Sequence, residues 1–137
     1  MTLQAGKDAT MRIKDLAPRD VVSVIAGEPL ANAARALANE EVGDVLVYSA
    51  TGPAGVFSER DLVRAVADGA DLEDTSVDEY MTPSVVTVDW ESPLGEGIAK
   101  MNEIGIRHLV VVRDGLVQGM VSMRDFVAVL GTGWPEL

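Results

Sequence analysis

Short β-branched runs alternate along the chain with stretches whose apolar residues recur at helical spacing, and the whole alternation occurs twice. Val21-Val22-Ser23-Val24-Ile25 predicts a strand, broken by Gly27, Glu28 and Pro29. Leu30, Ala33, Ala34 and Leu37 then fall on one helical face, with Pro29 placed at a helix start and Gly43 beyond its end. Val45 to Tyr48 predicts a second strand, Ser49 to Pro53 a turn, and Ala54 to Phe57 a third strand. A helix beginning at Ser58 is expected to run to about Gly69.

The order returns 64 positions later. Val85 to Val88 is the strand, and Pro93 and Leu94 open a helix with the stripe Leu94, Ile98 and Met101, ending near Gly105. Leu109 to Val112 follows, then the hairpin signal Asp114-Gly115, the strand Leu116 to Val121 and the helix Ser122 to Leu130. Val21 matches Val85, Val24 matches Val88, Pro29 matches Pro93, Gly55 matches Gly119 and Asp61 matches Asp125. The chain therefore reads as an α/β protein built from two tandem β-α-β-β-α repeats. Residues 1–11 read as a flexible tail, 12–69 as the first repeat, 70–76 as an acidic linker, 77–131 as the second repeat and 132–137 as a C-terminal tail. The first half of the segment between the repeats reads as a solvated connector. Its second half, Val77 to Pro83, echoes Ile13 to Pro18, so each repeat is expected to carry its own lead-in. Trp134 is expected either to pin the tail to the body or to sit on a partner.

The candidate chemistry sits where the last strand of each repeat meets the last helix. Gly55-Val56-Phe57-Ser58-Glu59-Arg60-Asp61 and Gly119-Met120-Val121-Ser122-Met123-Arg124-Asp125 share glycine, two apolar residues, serine and aspartate in the same order. A helix start leaves backbone N–H groups unpaired and carries partial positive charge. Serine at the N-cap and an acid three residues later satisfy those donors reciprocally as a capping box. The same groups suit a ligand: N–H groups and a hydroxyl for an anion, and a carboxylate for the two adjacent hydroxyls of a ribose. Capping alone explains either copy taken singly; two copies in register favour a ligand.

Composition narrows the classes. The chain has 137 residues, 47% of them hydrophobic, enough for a real core and against disorder. With no cysteine, disulfides and thiolate chemistry are excluded, and a reducing cytoplasmic setting fits. The opening Met1 to Gly6 lacks the pattern of a secretory leader, and no apolar run approaches a membrane span. A net charge of −11 disfavours nucleic acid and anionic membrane as partners, whereas a small phosphorylated metabolite needs only two or three local cations.

Two tandem units of this order resemble a pair of CBS domains, a Bateman module. The resemblance rests on the lead-in Tyr80-Met81-Thr82-Pro83, the Val-x-[Ser/Thr]-Val strands, the two Gly-x-x-Ser-x-x-Asp junctions and Ile106-Arg107-His108-Leu109-Val110-Val111-Val112. It spans about residues 12 to 131. The family often has proline where this chain has Val110. The resemblance implies a fold with the repeats packed in pseudo-two-fold symmetry, a regulatory module rather than an enzyme, and an adenosine-containing ligand (AMP, ADP, ATP or S-adenosylmethionine); from the length of the sequence it is expected to be a stand-alone module. No cofactor and no metal is implied. It also implies ribose contacts at Asp61 and Asp125 helped by Ser58 and Ser122. Adenine would lie against apolar groups and main chain at Val24, Val56 and Phe57, and at Val88, Met120 and Val121. Ser23 and Thr87 fall at the family's Ser/Thr position. The place before the second strand, which often meets phosphate, holds Arg107 and His108 in the second repeat but Gly43 and Asp44 in the first. A phosphorylated ligand is therefore expected to prefer the second repeat.

Blander readings stand beside these. Arg107 and His108 fit an exposed pair at a strand start, and a lone histidine builds no multi-histidine metal site. Arg60 and Arg124 occupy first turns, where the dipole disfavours a cation unless a phosphate or solvent offsets it. Met81, Met101, Met120 and Met123 read as core filler. Three classes follow: a nucleotide-sensing module signalling to a partner protein, an assembly module whose serines and aspartates only cap helices, and an enzyme. The last lacks a thiol, a second histidine and a phosphate-binding loop with lysine. The helices, apolar on more than one side, point to a homodimer.

Overall fold

The computed structural model describes residues 11–131. It contains two compact units, one formed by residues 21–85 and the other by residues 11–20 together with 86–131. Trp134 and the tail assignments over 1–10 and 132–137 lie outside the described residues.

The unit of residues 21–85 holds β1 (Ser23–Ile25), α1 (Leu30–Glu40), β2 (Asp44–Ser49), β3 (Gly52–Ser58) and α2 (Glu59–Ala67). β1 runs parallel to β2 and β2 antiparallel to β3, giving the order β1-β2-β3. Alternation along the strands sends Val24, Val45, Val47 and Phe57 to one face of the sheet. There they pack with Leu30, Ala33 and Leu37 of α1, Ala65 of α2 and Val77. The expected Ser49–Pro53 turn narrows to two residues, because the Ser49 hydroxyl donates to the Gly52 carbonyl at 3.1 Å and β3 begins there.

The other unit repeats the plan with β4 (Thr87–Asp89), α3 (Leu94–Ile104), β5 (His108–Arg113), β6 (Leu116–Ser122) and α4 (Met123–Leu130) in the sheet order β4-β5-β6. Its core joins Val88, Leu94, Met101, Leu109, Val111, Val121 and Phe126. Asp114 and Gly115 both take positive φ, 53° and 81°, as the tight hairpin turn requires. Gly105 closes α3 in the left-handed region at φ 80°. The tandem α/β topology read from the hydrophobic pattern is thus present in both copies. Met101 and Met120 are buried, and Met81 and Met123 pack partly buried against the two cores, as core filler should.

Two local readings change. The lead-ins are exchanged: the 3₁₀ turn Ile13–Leu16 ahead of the first repeat buries Ile13 and Leu16 in the core of the second. Val77, Tyr80 and Met81 ahead of the second repeat pack into the first. Nor is the acidic segment a free connector. The first-turn N–H groups of Leu30 and Ala31 donate to the carbonyls of Thr75 and Leu72 at 2.8 and 2.9 Å. Pro29, which has no capping side chain, leaves those donors open, and the acidic segment fills them.

The exchange accounts for the glycine of the repeated motif. Val56 and Thr82 bond each other through N–H and C=O at 3.0 and 2.9 Å, and Met120 and Arg19 do so at 3.0 and 3.1 Å. A Cβ at Gly55 would lie only 2.4 Å from the Thr82 carbonyl oxygen, and one at Gly119 equally close to that of Arg19. Only glycine permits the lead-in backbone to approach the strand so closely.

Candidate ligand-binding junctions

Each junction is a strand that passes into a helix without a loop. Ser58 sits at φ −113°, ψ 168°, extended, as the N-cap of α2, and Ser122 at φ −121°, ψ 166° does the same for α4. Asp61 Oδ2 accepts from the Ser58 N–H at 2.9 Å and the Ser58 hydroxyl at 3.1 Å, and the Asp61 N–H returns a bond to that hydroxyl oxygen at 3.2 Å. Asp125 Oδ2 accepts from the Ser122 N–H at 2.8 Å and hydroxyl at 3.3 Å. The N–H groups of Glu59 and Met123 donate to the carbonyls of Gly43 and Arg107 at 3.0 and 2.8 Å. Some of the donors that the sequence offered to an anion are therefore occupied within the fold.

Register places some of the other predicted groups on one side of each sheet. Ser23, Leu46 and Val56 align across one sheet and Asp44 lies opposite Ser58, all on the face away from the helical core. Thr87, Val110 and Met120 align in the other, with His108 opposite Ser122. Ser23 and Thr87 are exposed. The predicted apolar floor divides instead of staying together. Val56 and Met120 share the face of the serines. Val24, Phe57, Val88 and Val121 point into the cores, since they occupy the alternate positions. The main-chain groups of Val56 and Met120 are bonded to Thr82 and Arg19.

The two junctions differ in charge. Arg107 is exposed at the start of β5, beside His108, where the first repeat has Gly43 and Asp44. Arg60 and Arg124 are exposed on their first turns. Two residues the sequence reading passed over add to the difference. In the first junction Arg64 reaches Asp61 Oδ1 at 3.3 Å, donates to the Tyr80 carbonyl at 3.0 Å, and lies 5.7 Å over the Tyr80 ring. The Tyr80 hydroxyl in turn donates to Asp68 at 2.9 Å; that bond, with burial and the negative charges of Asp68 and Glu79, raises the phenol above its usual 10.0. Asp61 is left 7% exposed. In the second junction Ala128 and Leu16 stand where Arg64 and Tyr80 do, and Asp125 is only half-buried. Lys100 donates instead to the Thr87 carbonyl at 2.7 Å. The repeat alignment marks both positions as ones where the copies differ, Arg64 against Ala128 and Lys100 against Ala36, without showing what either side chain touches.

The CBS-domain model matches residues 13–68 and 77–132, nearly the whole of both repeats. The chain belongs to the CBS-domain family. A CBS-domain protein of Agrobacterium tumefaciens is 36% identical to this CBS pair, with 85% of this chain and 91% of that one superposed at a TM-score of 0.75. A CBS-domain protein of Pyrobaculum aerophilum, solved in complex with AMP, is 33% identical over 84% of this chain and 89% of that one, with a TM-score of 0.76. An uncharacterized protein of Methanopyrus kandleri is 28% identical over 88% of this chain; the CBS pair spans 63% of that relative's length. Among the described residues no helix is long and apolar enough to cross a membrane.

Proposed function

We propose that this CBS pair is a cytoplasmic regulatory module that binds an adenosine-containing ligand and signals its presence to a partner protein, without catalysing a reaction. The observation that carries the reading is the doubled junction: in both copies a strand delivers serine to a helix start and aspartate one turn on. The complex of the Pyrobaculum protein with AMP supports an adenine nucleotide. In this reading Asp125 Oδ2 keeps its capping bonds while Oδ1 accepts from the ribose hydroxyls. Ser122 and Thr87 line the approach, and Arg107, with His108 beside it, offers the positive charge a phosphate needs. Asp61, Ser58 and Ser23 form the corresponding set in the first repeat, where Asp44 repels phosphate. The module is a homodimer in this reading, supported by Val63 and Val66, which stand 67% and 57% exposed one turn apart on α2.

The competing reading, an assembly module whose junctions are purely structural, is favoured by the closed capping bonds at both helix starts. A thermal melt separates the two. At about 100 times its Kd a ligand adds roughly 2.7 kcal/mol of stability. AMP, ADP, ATP or S-adenosylmethionine at millimolar concentration should raise the melting temperature by several degrees. No shift with any of them would leave the assembly reading standing.

A further inference from the structure

We propose that Arg64 is an affinity-determining residue: it occupies the first junction's carboxylate from within and makes the two repeats unequal binding sites. The inference rests on the adenosine-binding reading above. A ribose diol needs carboxylate lone pairs, and in the first junction both oxygens of Asp61 are engaged, Oδ2 by Ser58 and Oδ1 by Arg64. The pair joins a half-exposed guanidinium to a buried carboxylate one helical turn away, and with its cation facing water it is worth little by itself. Arg64 is held more firmly than that, because the Tyr80 carbonyl and the face of the Tyr80 ring fix the same guanidinium. The exchanged lead-in is what brings Tyr80 there. In the second junction the counterpart of Arg64 is Ala128, and among the described residues no cation pairs with Asp125. A nucleotide entering the first repeat must displace Arg64 from Asp61, and one entering the second meets an open oxygen.

The test is calorimetric titration with AMP. In Asp125→Ala the second junction is disabled, so residual binding reports the first. Adding Arg64→Ala to that variant should tighten the residual Kd about 5- to 30-fold, the combined worth of the three contacts removed. Ala128→Arg, at an exposed position on α4, lacks a Tyr80 counterpart and should weaken AMP binding to the otherwise wild-type protein by about 1.5- to 5-fold, with no cost to folding. Unchanged affinity in both variants, while the wild type binds AMP, would overturn the role of Arg64 and leave the binding function intact. Equal affinity of the two sites in the wild type would overturn it as well. Absence of AMP binding in the wild type would instead remove the functional reading beneath it.

Discussion

The repeated motif combines residues that do different jobs, and single positions show which. Serine and aspartate build the helix start, whereas glycine serves another segment altogether, the lead-in backbone that bridges to its strand. In Gly55→Ala the new methyl meets the Thr82 carbonyl, and in Gly119→Ala that of Arg19, both backbone atoms. We expect each change to cost about 1–3 kcal/mol in urea-melt stability, the range for overpacking a tight site. Stabilities within error of wild type would mean that the lead-ins do not hold the strands as described. The serine, the aspartate and their helix start were legible in the sequence, because a strand pattern running into a helix pattern leaves little choice of conformation at the joint. Arg64 was not. Its importance depends on Tyr80, sixteen positions away, and nothing in the local pattern places that ring beneath a guanidinium.

At the scale of elements, strand and helix periodicity specified the order of every β and α segment, with shifts at their ends. Thr87–Asp89 is shorter than the Val85–Val88 run suggested, since hydrogen bonding rather than hydropathy decides where a ladder begins. What periodicity could not give was the destination of each lead-in. The echo between Ile13–Pro18 and Val77–Pro83 shows that the segments are alike, and likeness alone does not say which sheet each one covers. Ile13, fully buried among Val88, Leu94 and Phe126, supplies the test. Ile13→Ala should cost about 2–5 kcal/mol. In hydrogen exchange the loss should appear in the amides of β4 to β6 and spare those of β1 to β3. Protection lost in β1 to β3 alone would contradict the exchange.

At the scale of the whole molecule, the family and its α/β architecture were readable because two weak motifs recurred at one fixed offset. The ligand and the oligomer rest on surface chemistry, which a single sequence constrains less. Val63 and Val66 lead us to expect a homodimer by light scattering at high micromolar concentration, and Val63→Glu with Val66→Glu should shift it toward monomer. A wild-type monomer at every concentration would refute the dimer. The central claim is that the junction aspartates hold an adenosine ligand, with the second repeat preferred. Calorimetric titration of AMP into wild type, Asp61→Ala and Asp125→Ala tests it most directly. Loss of a hydrogen bond to a charged group should weaken binding about 10- to 150-fold in Asp125→Ala and less in Asp61→Ala. If aspartate only caps its helix, Asp125→Ala will lower stability by about 0.5–2 kcal/mol and leave AMP affinity unchanged, contradicting the account.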